Sequence, residues 1–353
     1  MSSQRLCFYI SLIFRNRLKH LIPPEYDTDF FLARWWKTLD GDLKLIEKRM
    51  KEWDEHRKIF GYGHVPSNRL EIDIEIAKKT FEILKTIPIS YILHSYFILQ
   101  EGFTRTLLAR EAETGKPAAV VSILDLEGLC LSDFVNPLGG PARLARLVVK
   151  IWADYFKEGL VKLIMVNPPK LLNVIWQIAK FIMDKKMLSR ILILEDCTDL
   201  MKYLRPEVNK MYGGKWKSTI PTKPLCSIPL RVTPDQYYDA TKLWIDHGYI
   251  SVPDMSSTYV KSRQTVEYIR KCERNGQTLL WHFSVNGDIE FSVVRVDGDS
   301  ETTVWPKITL TTTKVPEQGS ILCQKGDYLL RLTNPNNSWT PLKLSYVFEM
   351  SST

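Results

Sequence analysis

The hydrophobic residues of this 353-residue chain change their period partway along it, and that change does most to limit the folds open to it. Between residues 118 and 194 the apolar residues come in short runs of strand length, at 118–126, 162–166 and 191–194, separated by longer helical stretches. Strands alternating with helices predict a largely parallel sheet, whose strands read as continuously apolar because both faces are buried. After Val252 the period becomes two. Leu279, Trp281, Phe283 and Val285 alternate with His282 and Ser284, Asn286-Gly287 supplies a turn, and Ile289, Phe291 and Val293 resume the alternation. Asn-Gly between alternating runs is a strong hairpin signal. Tyr328, Leu330 and Leu332, then Leu342, Leu344, Tyr346 and Phe348, extend the pattern into an antiparallel β sandwich. Two periods in one chain of this length imply two domains, each able to bury its own core.

The N-terminal part reads as helical. Asp40-Gly41-Asp42 offers a cap, after which Leu43, Ile46, Met50 and Trp53 recur at three- and four-residue spacing. A Gly- and Pro-containing loop at 61–66 follows, then a second helical stretch over 72–87 that ends at Pro88. Residues 6–14 are mostly apolar but too few to span a bilayer, and Arg15, Arg17 and Lys19 follow them in place of a small-residue cleavage site; a helix packed on the core is expected. Three prolines in 217–229 mark the region where the two domains are joined.

The charge balance, 48 basic against 40 acidic residues and a net +8, favours an anionic partner such as a membrane surface. The basic residues are interspersed with acids, as in Glu47-Lys48-Arg49-Met50-Lys51-Glu52, so nucleic acid is not expected as a partner. The six cysteines are scattered without a C-x-x-C pair, which predicts reduced thiols in a cytosolic protein and leaves the sequon at Asn336 without meaning. The six histidines make no H-E-x-x-H and no paired spacing with Cys, so no metal site is expected. Gly214-Lys215 is followed by Trp216, and Asn209 stands where a phosphate loop needs its first glycine. Gly139-Gly140 lacks a dinucleotide pattern and no G-x-S-x-G elbow occurs. No catalytic residue is assigned; the chain reads as a non-enzyme without a cofactor.

Residues 171–183 depart from an ordinary surface helix. They follow Pro168-Pro169 and hold ten apolar residues, with only Asn173, Gln177 and Lys180 forming a narrow polar stripe. A surface helix needs one apolar face, whereas this one is apolar most of the way round. Such a helix is either buried inside a large protein or has core on one side and an apolar guest or membrane on the other.

From about Phe30 to Trp216 the chain resembles the CRAL-TRIO lipid-binding family. Phe31-Leu32-Ala33-Arg34-Trp35-Trp36 is similar to its N-terminal helical signature, residues 121–128 ending in Asp125-Leu126-Glu127-Gly128 to its first core strand, and 163–169 ending in Asn167-Pro168-Pro169 to its strand with an Asn-Ala-Pro exit. Tyr212-Gly213-Gly214 is similar to its closing aromatic-Gly-Gly. The C-terminal part resembles the GOLD domain through Trp281-His282-Phe283, residues 287–293, Lys325-Gly326-Asp327-Tyr328 and Asn337-Ser338-Trp339.

The resemblance implies an α/β lipid-binding domain, with N-terminal helices, a largely parallel sheet and a gate helix, followed by an all-β GOLD jelly-roll or sandwich. Its divisions are an N-terminal helical region at 1–75, the lipid-binding domain at 76–225, a linker at 226–252 and the GOLD domain at 253–353. It implies one hydrophobic lipid, a phospholipid or an isoprenoid-like molecule, bound in a gated cavity and transferred or presented between membranes. The alternative is a trafficking adaptor whose GOLD domain holds a protein partner and whose lipid is a regulator. Residues 171–183 correspond to the gate, which makes Leu171, Leu172, Ile175, Trp176, Ile178, Phe181 and Ile182 lipid-contacting. Glu158 and Lys215 fall where phosphatidylinositol-handling relatives keep a glutamate and a lysine, whereas Leu39 and Asp40 replace a basic pair of those relatives. The implied location is cytoplasmic, with peripheral and transient attachment to Golgi or endosomal membranes.

Overall fold

The computed structural model describes residues 3–62, 84–127, 129, 136, 138–170, 172, 176, 185–204, 232–337 and 339–351. The expected helix over 72–87 and the proline-rich stretch at 217–229 therefore lie largely outside the described residues, as do Lys215 and the expected gate apart from Leu172 and Trp176.

Helix α1 (Ser3–Leu18) buries Ile10, Phe14 and Leu18 while Tyr9 and Leu12 stay exposed, so the apolar N-terminal run packs one face of a helix on the core. Helix α2 (Asp29–Thr38) starts at Thr28, whose hydroxyl accepts the Phe31 N–H. Asp42 caps α3 (Leu43–Phe60) by accepting from the Lys44 and Leu45 N–H groups, and Gly61 ends it at φ 64°, a left-handed turn that costs glycine little. Of the periodic face of α3, Ile46, Met50 and Trp53 are buried as expected and Leu43 is half-buried. Trp53 meets Tyr26 and Trp35 at ring-centroid distances of 5.1 and 6.0 Å, and Arg57 lies 4.2 Å over the Tyr26 ring while its Nε donates to Glu101 at 3.0 Å. Helix α4 (Ile89–Thr114) begins directly after Pro88.

Strands β1 (Val120–Asp125), β2 (Leu160–Val166) and β3 (Ile191–Ile193) form a parallel sheet in that order, close to the three apolar runs. Helix α5 (Gly140–Ile151) connects β1 to β2 and passes into a π-helical turn, Trp152–Phe156. The expectation that these strands are buried on both faces holds only in part. Ile164 and Val166 are fully buried, but Val121 and Val161, next to the N-terminal ends of their strands, are 41% and 53% exposed. Most of the remaining strand residues are half-buried.

Eight strands build the C-terminal sandwich: β4 (Ser256–Val260), β5 (Thr265–Cys272), β6 (Thr278–Val285), β7 (Ile289–Asp297), β8 (Ser300–Leu310), β9 (Glu317–Leu322), β10 (Gly326–Thr333) and β11 (Leu342–Ser351). They pair antiparallel in two four-stranded sheets, β5-β10-β7-β8 and β4-β11-β6-β9. Asn286-Gly287 turns the chain as expected, but not into a hairpin: β6 pairs with β11 and β9 and β7 with β10 and β8, so the turn carries the chain from one sheet to the other, a choice of partner that the alternation of each strand does not record. The outward half of the β6 alternation is different from expectation: His282 is buried along with its neighbours. The cause is the stretch before the sandwich: its Trp244 is fully buried against Leu280 and Val347, and its Ala240 carbonyl accepts from Gln318 of β9, whose amide also donates to His282 Nδ1. The C-terminal portion of the expected linker thus packs as an outer layer of the sandwich.

The sandwich docks on the helical layer through α3 and β8. Lys307 Nζ lies 2.6 Å from Glu52, His56 Nε2 donates to the Lys307 carbonyl at 3.0 Å, and Phe60 meets Trp305 edge-on at 5.0 Å. Burial would raise the Glu52 carboxyl, but Lys307 and Arg49 outweigh it and hold its pKa at about 2. Burial pulls His56 down to about 4 and neighbouring His94 to about 3. A proton on His56 would sit on Nδ1, which is buried without a partner. In the unfolded chain both rings titrate near 6.5. Below that pH the unfolded state takes up protons the folded state refuses, so stability is full above about pH 6.5 and falls as the pH drops toward 4. Chemical denaturation across this range should show the loss. Gln at position 56, which can donate to Lys307 without titrating, should remove about 2–3 kcal/mol of the pH dependence.

Candidate functional site

Two motifs hold the exits of the parallel strands in place. Asn167, at the end of β2, adopts φ 52°, a conformation its short polar side chain tolerates, and its Nδ2 donates to Asp125 Oδ1 at 3.0 Å. The same carboxylate oxygen accepts the Glu127 N–H. The β1 and β2 exits are thereby tied together, and Pro169 accepts the Leu172 N–H at the start of the apolar segment. The aspartate and asparagine of the two family-like motifs are structural clasps.

Beyond that clasp lies an apolar sheet face. The parallel register sets Leu124, Met165 and Ile193 side by side, with Leu163 and Ile191 in the next rung. Leu126 and Leu172 pack onto this face and are buried, whereas Leu124, Leu129, Met165 and Ile193 stay half-buried. The opposite face carries Ile164, Val166, Leu194 and Leu200, all buried. The sheet therefore has one filled face and one apolar face that retains accessible surface beside Leu172. Trp176, one turn further, is helical and half-buried.

Glu158 lies in a different place, on the short turn Lys157–Gly159 directly after the π-helical turn. Its side chain is only 4% exposed and is surrounded by Arg190 Nη2 at 2.6 Å and by Lys37 and Lys186 Nζ, both at 3.1 Å. Burial works to raise its pKa, but the three cations outweigh it and hold the carboxylate below its usual range. Three cations around one carboxylate leave the cluster net positive, and they occupy most of the four or so acceptor positions of the carboxylate. A cavity of about 30 Å³ adjoins it, lined among others by Arg34, Trp35, Thr38, Leu107 and Tyr155, which has room for a water and not for an acyl chain. Leu39 terminates α2 and packs partly on the core, and Asp40, at φ 49°, lies 4.0 Å from Lys186. The absence of a basic pair at 39 and 40 thus does not leave the region uncharged. Lys37, Lys186 and Arg190 escaped the sequence reading because they converge from distant segments; Lys37, two residues before Leu39, was the available hint.

Residues 74–214 match the model of the CRAL/TRIO domain. The chain carries a CRAL/TRIO domain. Along most of its length it is similar to the CRAL-TRIO domain-containing protein C34C12.6 of Caenorhabditis elegans, 28% identical over 352 residues, which cover 88% of this chain and 87% of that one. A second worm protein, the CRAL-TRIO domain-containing protein F28H7.8, is 24% identical over 251 residues, with 61% of this chain and 60% of the relative covered. Among solved structures, Sfh5 aligns with 61% of this chain and 86% of its own at 16% identity and a TM-score of 0.44. Within the CRAL/TRIO domain the half-buried sheet face, the strand clasp and Glu158 all lie inside the matched residues, whereas Lys37 reaches Glu158 from α2, outside them. Proteins of this family in general bind and transfer lipids.

Glu158→Gln would keep the shape while leaving Lys37, Lys186 and Arg190 without a counter-charge, a loss of about 2 kcal/mol of stability near neutral pH. The lowered carboxyl pKa contributes above about pH 4.5 and is lost as the pH falls below it. The difference between wild type and variant in chemical denaturation should therefore shrink below pH 4.

Proposed function

We propose that this chain takes up one hydrophobic lipid, a phospholipid or isoprenoid-like molecule, and carries or presents it between membranes. The observation behind this reading is the half-buried apolar face of the parallel sheet, Leu124, Met165 and Ile193, bordered by Leu172 within a CRAL/TRIO domain. An acyl methylene left in water costs ~0.8 kcal/mol, so a two-chain lipid leaving a membrane costs roughly 20 kcal/mol unless a comparably apolar container receives it. The sheet face provides a floor, and residues 171–183, apolar nearly all round, provide a movable wall through Leu171, Leu172, Ile175, Trp176, Ile178, Phe181 and Ile182. No described helix is long and apolar enough to cross a membrane, so attachment in this reading is peripheral.

The finer part of the proposal concerns the headgroup. Glu158 serves by gathering Lys37, Lys186 and Arg190, whose surplus positive charge suits a phosphate, and Lys215 adds a mobile cation. Inositol lipids fit that combination. The eight-stranded sandwich is a GOLD domain in this reading, serving the carrier at Golgi or endosomal membranes.

Fluorescent-lipid transfer between vesicles tests both levels. Wild type should accelerate transfer. Lys215→Ala should reduce inositol-lipid transfer about tenfold and leave phosphatidylcholine transfer largely intact, because a charge-assisted hydrogen bond to phosphate is worth about 1.5–3 kcal/mol. Equal loss for both lipids would remove the headgroup role, and no transfer of any lipid would remove the carrier role.

A further inference from the structure

Trp339 is 104% exposed, although it belongs to the loop between β10 and β11, much of which is well anchored. Asn334 is fully buried and donates to the Val260 carbonyl; the Asn336 carbonyl accepts from Ser262, and Asn336 Nδ2 donates to the Asp288 carbonyl. These bonds gather three loops, 261–264, 286–288 and 334–341, at one end of the sandwich. The 311–316 loop joins them through Thr312, whose hydroxyl bonds both the N–H and the carbonyl of Val285. An indole held in water on such a frame is apolar area that folding has left unburied.

The charges at this end are one-sided. Lys261, Arg263, Lys314 and Lys343 are all exposed, and Asp288, the one acidic residue of the four loops, is largely buried 3.4 Å from Arg146. The opposite end of the sandwich is different, with Glu273, Asp297 and Asp299 against Arg274 and Lys325. The basic end also abuts the CRAL/TRIO domain. Arg143 on α5 donates to the Asn286 carbonyl at 3.3 Å and to Thr311 at 3.2 Å, and Leu138, just before α5, is 68% exposed.

From this we infer that the Trp339 end of the sandwich docks on bilayers carrying anionic headgroups, with the indole at the interface and Lys261, Arg263, Lys314 and Lys343 over the lipid phosphates. Tryptophan favours the interfacial zone, where its ring sits among headgroups, and basic side chains are drawn to the negative surface. A protein partner would need a defined apolar patch around the indole, and apart from Trp339 the exposed residues described in these four loops, Lys261, Arg263, Gln264, Asn286, Lys314, Asn337 and Thr340, are polar or basic. The inference rests on the carrier reading for its purpose, since docking here brings the CRAL/TRIO domain to the membrane, but vesicle binding is measured apart from transfer.

Flotation of the full chain with phosphatidylcholine vesicles, with and without phosphatidylserine, tests it. Wild type should float with the anionic vesicles and lose binding as salt is raised. Trp339→Ala and the pair Lys261→Glu with Arg263→Glu should each lower the partition coefficient at least about fivefold, and Trp339→Phe should restore much of it. Thermal midpoints and the lipid extracted from the purified protein should not change in these surface variants. Failure of wild type to float, or equal flotation of Trp339→Ala, would overturn the inference, as would loss of a protein partner with flotation unchanged. Flotation through Trp339 by a chain that copurifies no lipid would leave the docking surface in place and count against the carrier alone.

Discussion

The contact between α3 and β8 holds the two halves of this protein in one body. Lys307 gives its ammonium to Glu52 and its carbonyl to His56 Nε2, so one residue of the sandwich pairs with a buried acid and with one nitrogen of a buried imidazole of the helical layer. Around this polar pair the aromatic rings of Phe60, His94 and Trp305 exclude water. In that setting Glu52 stays charged and His56 stays neutral, which is the pairing the geometry can satisfy. Because α3 also packs Trp53 against α2, whose Lys37 reaches Glu158, a change in the seating of the sandwich has a continuous packed route toward the cationic cluster.

In the proposed carrier reading, the sheet and the cluster around Glu158 divide the chemistry of a lipid between them. One face of β1–β3 offers apolar surface with little polar interruption, suited to chains; the turn after α5 offers concentrated positive charge, suited to a phosphate. The π-helical turn Trp152–Phe156 is the local device that makes this possible. By inserting into the end of α5 it directs Tyr155 to Glu52 and places Glu158 where three cations from α2 and the segment before β3 converge.

Much of this architecture was legible in the amino-acid order because it depends on short-range pattern. The apolar runs gave the parallel strands and Asp42 the start of α3, whereas the turn at Asn286-Gly287 joins two sheets instead of closing a hairpin, because alternation marks a strand without naming its partner. What escaped was set at long range. Alternation along β6 reports one buried face; it carries no record that Trp244 and Gln318 would cover the other. Glu158 was singled out by its place in a motif, yet its partners Lys37, Lys186 and Arg190 are 121, 28 and 32 positions away, and apart from the closeness of Lys37 to Leu39 nothing in their own neighbourhoods marks them as partners of one carboxylate. Residues 171–183 could be recognised as unusual from composition alone, whereas the half-buried face beside Leu172 became apparent only once the parallel register aligned Leu124, Met165 and Ile193.

The account turns on an apolar interior able to hold a lipid that the protein's own side chains do not fill. A native mass spectrum of the intact, freshly purified chain addresses this most directly. The account predicts a species heavier than the polypeptide by the mass of a single lipid, released as free polypeptide on denaturation. A spectrum showing only bare polypeptide, even after incubation with membranes, would contradict it.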